Sequence, residues 1–502
     1  MSRARTVDDP SRLSIGHRLR FLAKDSLLYG GAAAFNKAFA LVTFPILARH
    51  FSVEDYGLID FFTVLASLFT ILMVFGQDTA VARFFYDEDE TASRRRVISQ
   101  SLSFQLLVLA VILPLAWVAS DRIGTWLNPA PESRLLLKLV LLQVPCLVLI
   151  NFAQNILKWT FARARFLTVS IGSTTVSVLG ILTAIAAFDL SVVGVIAIYL
   201  VTQAVFGLLG LWFVRHWLVR PRDWQYVRPM LIFAIPYGIV CTVGAAVPAL
   251  ERTLIVEFLG SRELGLFAAG AKVAMLIGLP ITAFQIAWGP FSLAIYKTED
   301  ADRTYNWVLK LFSVVILAAV MVLTALSEIV IHVLAGSAYA GASIVVFGLS
   351  LGLALEATGW ITAIGINLSK RSYLNLYAYA TFLAVSLTAM MALLPFFGLA
   401  GIAWGALLGY AAKTVVESWL AQRAYPLPWA YEGTVRLGLL TMSAGLASQI
   451  VSGTIGRAAG GLVAAAGALA VLAYGWTSVL NAHDRLLIVQ AAGSVRGRRF
   501  FR

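Results

Sequence analysis

The chain has 502 residues, 60% of them hydrophobic, with 39 Lys and Arg against 26 Asp and Glu and a formal net charge of +13. Soluble domains carry about 45–50% apolar residues even with Gly counted, so a single soluble core is excluded. Most of the basic residues fall in short links between apolar runs, a pattern set by membrane orientation rather than by nucleic-acid binding.

The first 25 residues are polar and basic (Arg3, Arg5, Arg12, Arg18, Arg20, Lys24). They hold no short apolar core before a small-residue cleavage site, so no cleaved signal is expected and the first helix is retained. A spanning helix needs roughly 20 mostly apolar residues. Runs of that kind occupy residues 26–48, 57–82, 98–120, 134–157, 167–188, 192–214, 230–250, 265–287, 304–327, 343–366, 373–395, 400–421, 434–452 and 458–480. The expected fold class is therefore an all-α polytopic membrane protein of about 14 transmembrane helices. Cys146 and Cys241 lie inside such runs and read as small apolar fillers.

With a cytoplasmic N-terminus, the inside links hold Arg94 to Arg96, then Lys158, Arg163 and Arg165, then Arg215, Arg220, Arg222 and Arg228, then Lys370 and Arg371. The outside links hold fewer, such as Arg49, Arg122, Arg252, Arg262 and Arg457. An even number of spans returns the basic tail 481–502 to the same side, so both termini are expected in the cytoplasm. Trp159, Trp217, Trp224, Trp288 and Trp429 fall near inside boundaries, as anchoring indoles do.

A weak internal repeat runs through the chain. Phe51 to Leu58 (FSVEDYGL) and Leu259 to Leu266 (LGSRELGL) match at an offset of 208, and Val193-Gly194-Val195 and Ala400-Gly401-Ile402 at nearly the same offset. Two six-helix lobes, 26–214 and 230–421, joined by a cytoplasmic linker at 215–229 and followed by an appended pair at 434–480, explain both matches. Lobes of equal topology imply a pseudo-twofold along the membrane normal and a central cavity.

Ionisable groups inside spans are the sharpest functional signal, because each costs about 2.5–3.5 kcal/mol at a helix centre on insertion scales unless it meets a partner or water. The first span places Asn36 and Lys37 mid-helix. The second draws a polar stripe through Asp60, Thr63, Ser67, Thr70 and Gln77 or Asp78, with Arg83 at its inner end. Glu251 and Arg252 close the seventh span, and Lys272 lies within the eighth. In the tenth, Glu356, Gly359, Ala363, Asn367 and Lys370 share one helical face, and in the twelfth Lys413 and Glu417 are i, i+4 neighbours suited to pairing with each other. No phosphate-binding loop is present: Gly265 to Lys272 lacks the spacing and the following Ser or Thr. The five His residues show no ligand spacing, so neither metal nor cofactor is expected. The longest outside link spans only about 15 residues, short of the catalytic loops that membrane ligases and polymerases need, so no enzyme is expected.

Gly30-Gly31 through Asn36-Lys37, Pro45 to Gly57, Gly76-Gln77-Asp78 through Arg83-Phe84, Glu251-Arg252, Leu264 to Ala268, Lys272 and Ala287 to Pro290 resemble the polysaccharide flippases (Wzx-type) of the MATE/flippase (MOP) superfamily over roughly residues 25–425. Glu251 stands where an Asp before the Arg is more familiar. The resemblance implies alternating access around a cationic cavity and outward movement of a polyprenyl-pyrophosphate-linked glycan across the bacterial cytoplasmic (inner) membrane. Lys37, Arg83, Arg252, Lys272 and Asn36 are the expected substrate contacts, with Asp60, Asp78 and Glu356 tuning their charge or coupling to an ion. The expected partners are membrane lipids, a polysaccharide polymerase and glycosyltransferases. A cation-coupled exporter of small amphiphiles, from the multidrug branch, is the alternative, since such a site favours carboxylates. A lipid II type flippase is close in chemistry.

Overall fold

The computed structural model describes residues 31, 32, 35, 36, 38–127 and 132–486. Lys37, the basic N-terminus and residues 487–502 of the tail lie outside the described residues. Every regular element among those described is helical.

In chain order these are α1 (Ala38–His50), α2 (Val53–Val74), α3 (Gln77–Asp87), α4 (Thr91–Leu127), α5 (Ser133–Trp159), α6 (Arg163–Ala187), α7 (Val192–Val214), α8 (Val227–Phe258), α9 (Ser261–Ala274), α10 (Gly278–Ile295), α11 (Ala301–Ala335), α12 (Val346–Thr362), α13 (Ile364–Leu368), α14 (Leu374–Phe397), α15 (Leu399–Ala424), α16 (Tyr431–Thr454) and α17 (Arg457–Tyr474). They supply 13 spans long and apolar enough to cross a membrane, plus the shorter apolar α1. The protein is thus an all-α, multi-pass membrane protein. Side chains such as Val118, Phe396 and Ile455 are 82%, 80% and 75% exposed, an arrangement that only hydrocarbon makes favourable.

The chain divides into two compact units, residues 1–268 and 269–502. In the first, α2 packs on α5 and α8, and α5 on α7; in the second, α12 and α14 pack on α15, and α11 on α12, α16 and α17. The appended pair α16 and α17 therefore shares a core with α11 through Leu437, Ala464, Ala468 and Val471.

Local chemistry sets the breaks. Ser52 caps α2 by accepting a hydrogen bond from the Asp55 N–H (3.1 Å), and Glu54 and Asp55 place negative charge on its positive end. The second apolar run does not continue as one helix, because Phe75 (φ 41°) and Gly76 (φ 70°) form a left-handed turn between α2 and α3. The polar stripe read along 57–82 is therefore split: Gln77 and Asp78 belong to another helix than Asp60. Likewise the tenth run breaks after Thr362, and Lys370 has φ 57°, so Glu356 and Lys370 do not share one continuous helical face. Trp288, expected at a boundary, is instead 6% exposed, stacked on Phe284 and edge-on to Tyr305. Its ring fills the second unit's core rather than an interface.

The repeat at the starts of α2 and α9 has a structural counterpart. A Cβ added to Gly57 would lie 2.6 Å from the Gly265 nitrogen, and one added to Gly265 would lie 1.9 Å from the Val53 carbonyl oxygen. The two repeat-related glycines thus allow two backbones to meet directly, and any side chain at either would separate them.

Candidate functional site: two buried ion triads

In the first unit Arg252, at 3% exposure, projects from α8 between two carboxylates. Its Nε donates to Asp60 Oδ2 of α2 at 3.0 Å, and its Nη1 donates both to Glu251 Oε2 at 3.1 Å and to the Pro248 carbonyl at 3.1 Å. The Phe267 ring lies 5.2 Å below the guanidinium. Asp60 and Glu251 are equally enclosed, at 2% and 8%. Removing an ion from water costs several kcal/mol even after relaxation, so each member depends on the others for its charge. The planar fork of Arg suits this geometry because it meets two acceptors at once without reorienting. The Asp60 bond also ties α2 to α8 close to the Gly57–Gly265 contact.

The second unit holds a triad of similar composition. Lys413 on α15 is fully buried, 3.3 Å from Glu356 Oε1 on α12 and 3.3 Å from Glu417 Oε2 one turn along α15. The Tyr379 ring sits 4.6 Å from its ammonium. Glu356 retains 17% exposure, so this triad touches its surroundings where the first does not. Thr414 donates to the Leu355 carbonyl at 3.0 Å, and Thr362 and Ser418 meet at 2.5 Å, so polar bonds draw α12 against α15 on both sides of the ions. The i, i+4 pairing of Lys413 with Glu417 follows from spacing. The third member does not, although two carboxylates inside spans with a nearby Lys are a signal that they converge on it.

The remaining expected residues are placed differently. Asn36 donates to Ser170 Oγ at 3.0 Å and accepts from Thr174 at 3.1 Å, so its amide is spent on α6. Arg83 is 60% exposed, 3.7 Å from Asp87 and over the Phe233 ring, in the middle of α3. Asp78 accepts from the Thr79 N–H at 2.8 Å in the first turn of α3. Lys272 is half-buried in the last turn of α9. Asn36, Arg83 and Asp78 thus spend their bonds outside the triads. The buried Gln77, which accepts from Ser101 at 2.9 Å and from Gln105 at 3.4 Å, adds a polar layer between α3 and α4.

The link 215–226 is not a free tether. Ser99 Oγ accepts from the Val219 N–H (2.8 Å), Gln100 Oε1 accepts from the Tyr226 N–H (2.9 Å), and Gln100 Nε2 donates to Asp223 (2.6 Å). The Tyr226 hydroxyl donates to Glu88 at 2.8 Å; burial, then the adjacent carboxylate, pushes its pKa above the ordinary tyrosine value. Both cysteines are free thiols. Among the described residues no three His, Cys, Asp or Glu side chains group to hold a metal ion.

Thirteen apolar spans among the described residues, with charged side chains buried between them, define an integral membrane protein. The fold agrees. A lipid II flippase MurJ in an inward closed conformation matches with a TM-score of 0.68 at 13% identity, covering 90% of this chain and 98% of that one. An inward-facing multidrug resistance MATE transporter of the MOP superfamily matches with 0.62 at 15% identity, covering 79% and 94%. The chain belongs to the polysaccharide biosynthesis protein family, whose model matches residues 22–292, more than half its length. It is also 24% identical over 331 residues to Lsg locus putative protein 1 of Haemophilus influenzae, covering 63% of this chain and 78% of that one. The family is thus one of polysaccharide biosynthesis, and the fold is shared with the two solved membrane proteins.

Proposed function

We propose that this protein is a flippase of the bacterial inner membrane that carries a polyprenyl-pyrophosphate-linked oligosaccharide from the inner to the outer leaflet for surface polysaccharide synthesis, both termini facing the cytoplasm. The observation that carries this reading is the buried Arg252, held by Asp60 from α2, in a chain of a polysaccharide biosynthesis family.

A pyrophosphate cannot cross hydrocarbon bare, and a guanidinium binds phosphate oxygens in the same fork by which it binds a carboxylate. A substrate pyrophosphate reaching Arg252 competes with Asp60 for the same N–H groups. When it wins, α2 loses its tie to α8 beside the Gly57–Gly265 contact, and that end of the pair is free to part. Asp60 thus acts as a built-in anion that the substrate displaces. Arg83, exposed on α3, draws the anionic linkage toward the protein, and Asp78 tempers it. The glycan's hydroxyls meet the polar layers and the lipid tail stays in the bilayer. A polymerase and glycosyltransferases act before and after this step.

A second reading, cation-coupled export of small amphiphiles, is favoured by the Glu356–Lys413–Glu417 triad, where two carboxylates face one amine. In the flippase reading the same surplus carboxylate couples transport to an ion gradient.

The test is mass spectrometry of lipid-linked saccharides from cells depleted of the protein, with and without a rescuing copy, combined with sidedness labelling. A polyprenyl-pyrophosphate oligosaccharide that accumulates on the inner leaflet and clears on rescue is the expected result. An unchanged lipid pool, in cells that make such intermediates, would defeat the flippase reading and favour the exporter.

A further inference from the structure

A cleft of about 330 Å³ lies in the second unit between α11, the turn 337–345, α16 and α17, within the size range of ligand sites. It lies where the links 335–337 and 454–457 end their helices. Its mouth carries Glu328 and Arg457, 3.8 Å apart and 39% and 46% exposed. An ion pair so long and so wet holds little energy of its own, so both charges are available to a ligand.

Most of the hydroxyls on the floor already spend their protons on the backbone. Thr324 donates to the Val320 carbonyl, Ser327 to Thr324 and Ser448 to Gly460, each at 2.8 Å, while the Gln449 amide donates to the Ile344 carbonyl at 3.0 Å. What the three hydroxyls offer the cleft is lone pairs, and Gln449 adds its carbonyl oxygen and its second amide N–H. Ile329 and Ile450, next in the chain to the lining residues Glu328 and Gln449, and Ile455 in the adjoining link are apolar and outward-facing, 61%, 63% and 75% exposed.

An acceptor-lined floor, one carboxylate, one guanidinium and a hydrocarbon-facing rim specify a particular ligand chemistry. We infer that this cleft is a binding site for the headgroup of a zwitterionic aminophospholipid: the primary ammonium donates to Glu328 and the floor oxygens, the phosphate meets Arg457, and the acyl chains lie along the isoleucine rim. The pair sums to zero charge, so an anionic phosphoglycerol headgroup leaves Glu328 opposed. A choline headgroup has no N–H to give the floor and loses those bonds. A free saccharide makes no use of the apolar rim.

The experiment is native mass spectrometry of the delipidated full-length protein with phosphatidylethanolamine, phosphatidylcholine or phosphatidylglycerol of identical acyl chains, on the wild type and on Glu328→Gln and Arg457→Gln, with thermal melts confirming that each variant is folded. These half-exposed substitutions leave the triads untouched. The expected result is at least tenfold greater retention of phosphatidylethanolamine than of the other two. Glu328→Gln should erase its preference over phosphatidylcholine, and Arg457→Gln should weaken both lipids together. Equal retention of all three lipids by the wild type, or preferences unchanged in both variants, would overturn the assignment. So would displacement of the retained phosphatidylethanolamine by a soluble oligosaccharide, which would mark the cleft as a glycan site.

Discussion

Each unit buries one cation between two carboxylates, and the two triads solve the same electrostatic problem with different parts. The first uses Arg252, whose fork holds Asp60 and Glu251 while its ring-stacked face is closed off by Phe267. The second uses Lys413, a point charge 3.3 Å from both partners, one of which is partly exposed. An arginine is always charged and recognises phosphate as readily as carboxylate, whereas an ammonium among surplus carboxylates lends itself to exchange of a proton or small cation. Under the proposed function, anion recognition falls to the first unit and coupling to the second.

The most severe way to break this comparison is Arg252→Ala. It removes the guanidinium that Asp60 and Glu251 share, and removing one partner of a buried pair costs about 3–5 kcal/mol. Transport should vanish and the melting temperature should fall by many degrees in a thermal-shift assay. Asp60→Asn is the sharper companion: it removes the competing anion while leaving Arg252 paired with Glu251, so the protein should fold, bind pyrophosphate-linked lipid more tightly and turn over more slowly. Lys413→Met leaves Glu356 and Glu417 facing each other and should destabilise by a similar amount, about 3–5 kcal/mol.

Smaller effects sharpen the contrast. Gly265→Ala drives a methyl against the Val53 backbone, where no side chain can yield, and overpacking of this kind costs about 1–3 kcal/mol; urea or thermal unfolding should show it, with Gly57→Ala alongside. Glu356→Gln removes the surplus carboxylate and leaves Lys413 balanced by Glu417. Stability should hold, while the dependence of transport on an imposed pH or Na⁺ gradient should flatten. Arg83→Gln, at an exposed pair worth about 0–1 kcal/mol, should leave melting unchanged and raise the apparent KM two- to fivefold, most visibly at low salt.

Much of the fold was legible in the apolar runs, because a bilayer imposes span length directly. What escaped was where helices stop. Hydropathy sees only the greasy part of α4, read as 98–120, whereas the helix runs from Thr91 to Leu127 and carries Arg94 to Arg96 on its first turns. The break at Phe75–Gly76 was hidden because Phe at a left-handed position contradicts its own preference and is held there by packing. Individual charges within spans were also legible, since their cost demands a reason. Their partners were less so: Asp60 and Arg252 are separated by 192 positions, and no spacing rule reaches that far. Asn36, read as facing a cavity, is spent on Ser170 and Thr174, because an amide cannot signal from sequence which helix it will meet.

The most direct test of the account reconstitutes the purified protein in liposomes and follows the appearance of a polyprenyl-pyrophosphate glycan on the opposite leaflet, comparing wild type with Arg252→Lys. The lysine keeps the positive charge and so spares the fold but loses the two-pronged grip. The account predicts flipping by the wild type and at least a tenfold slower rate in the variant, about 1.4 kcal/mol at the transition state. A folded variant that flips as fast as the wild type, or a wild type no faster than protein-free liposomes, would contradict it.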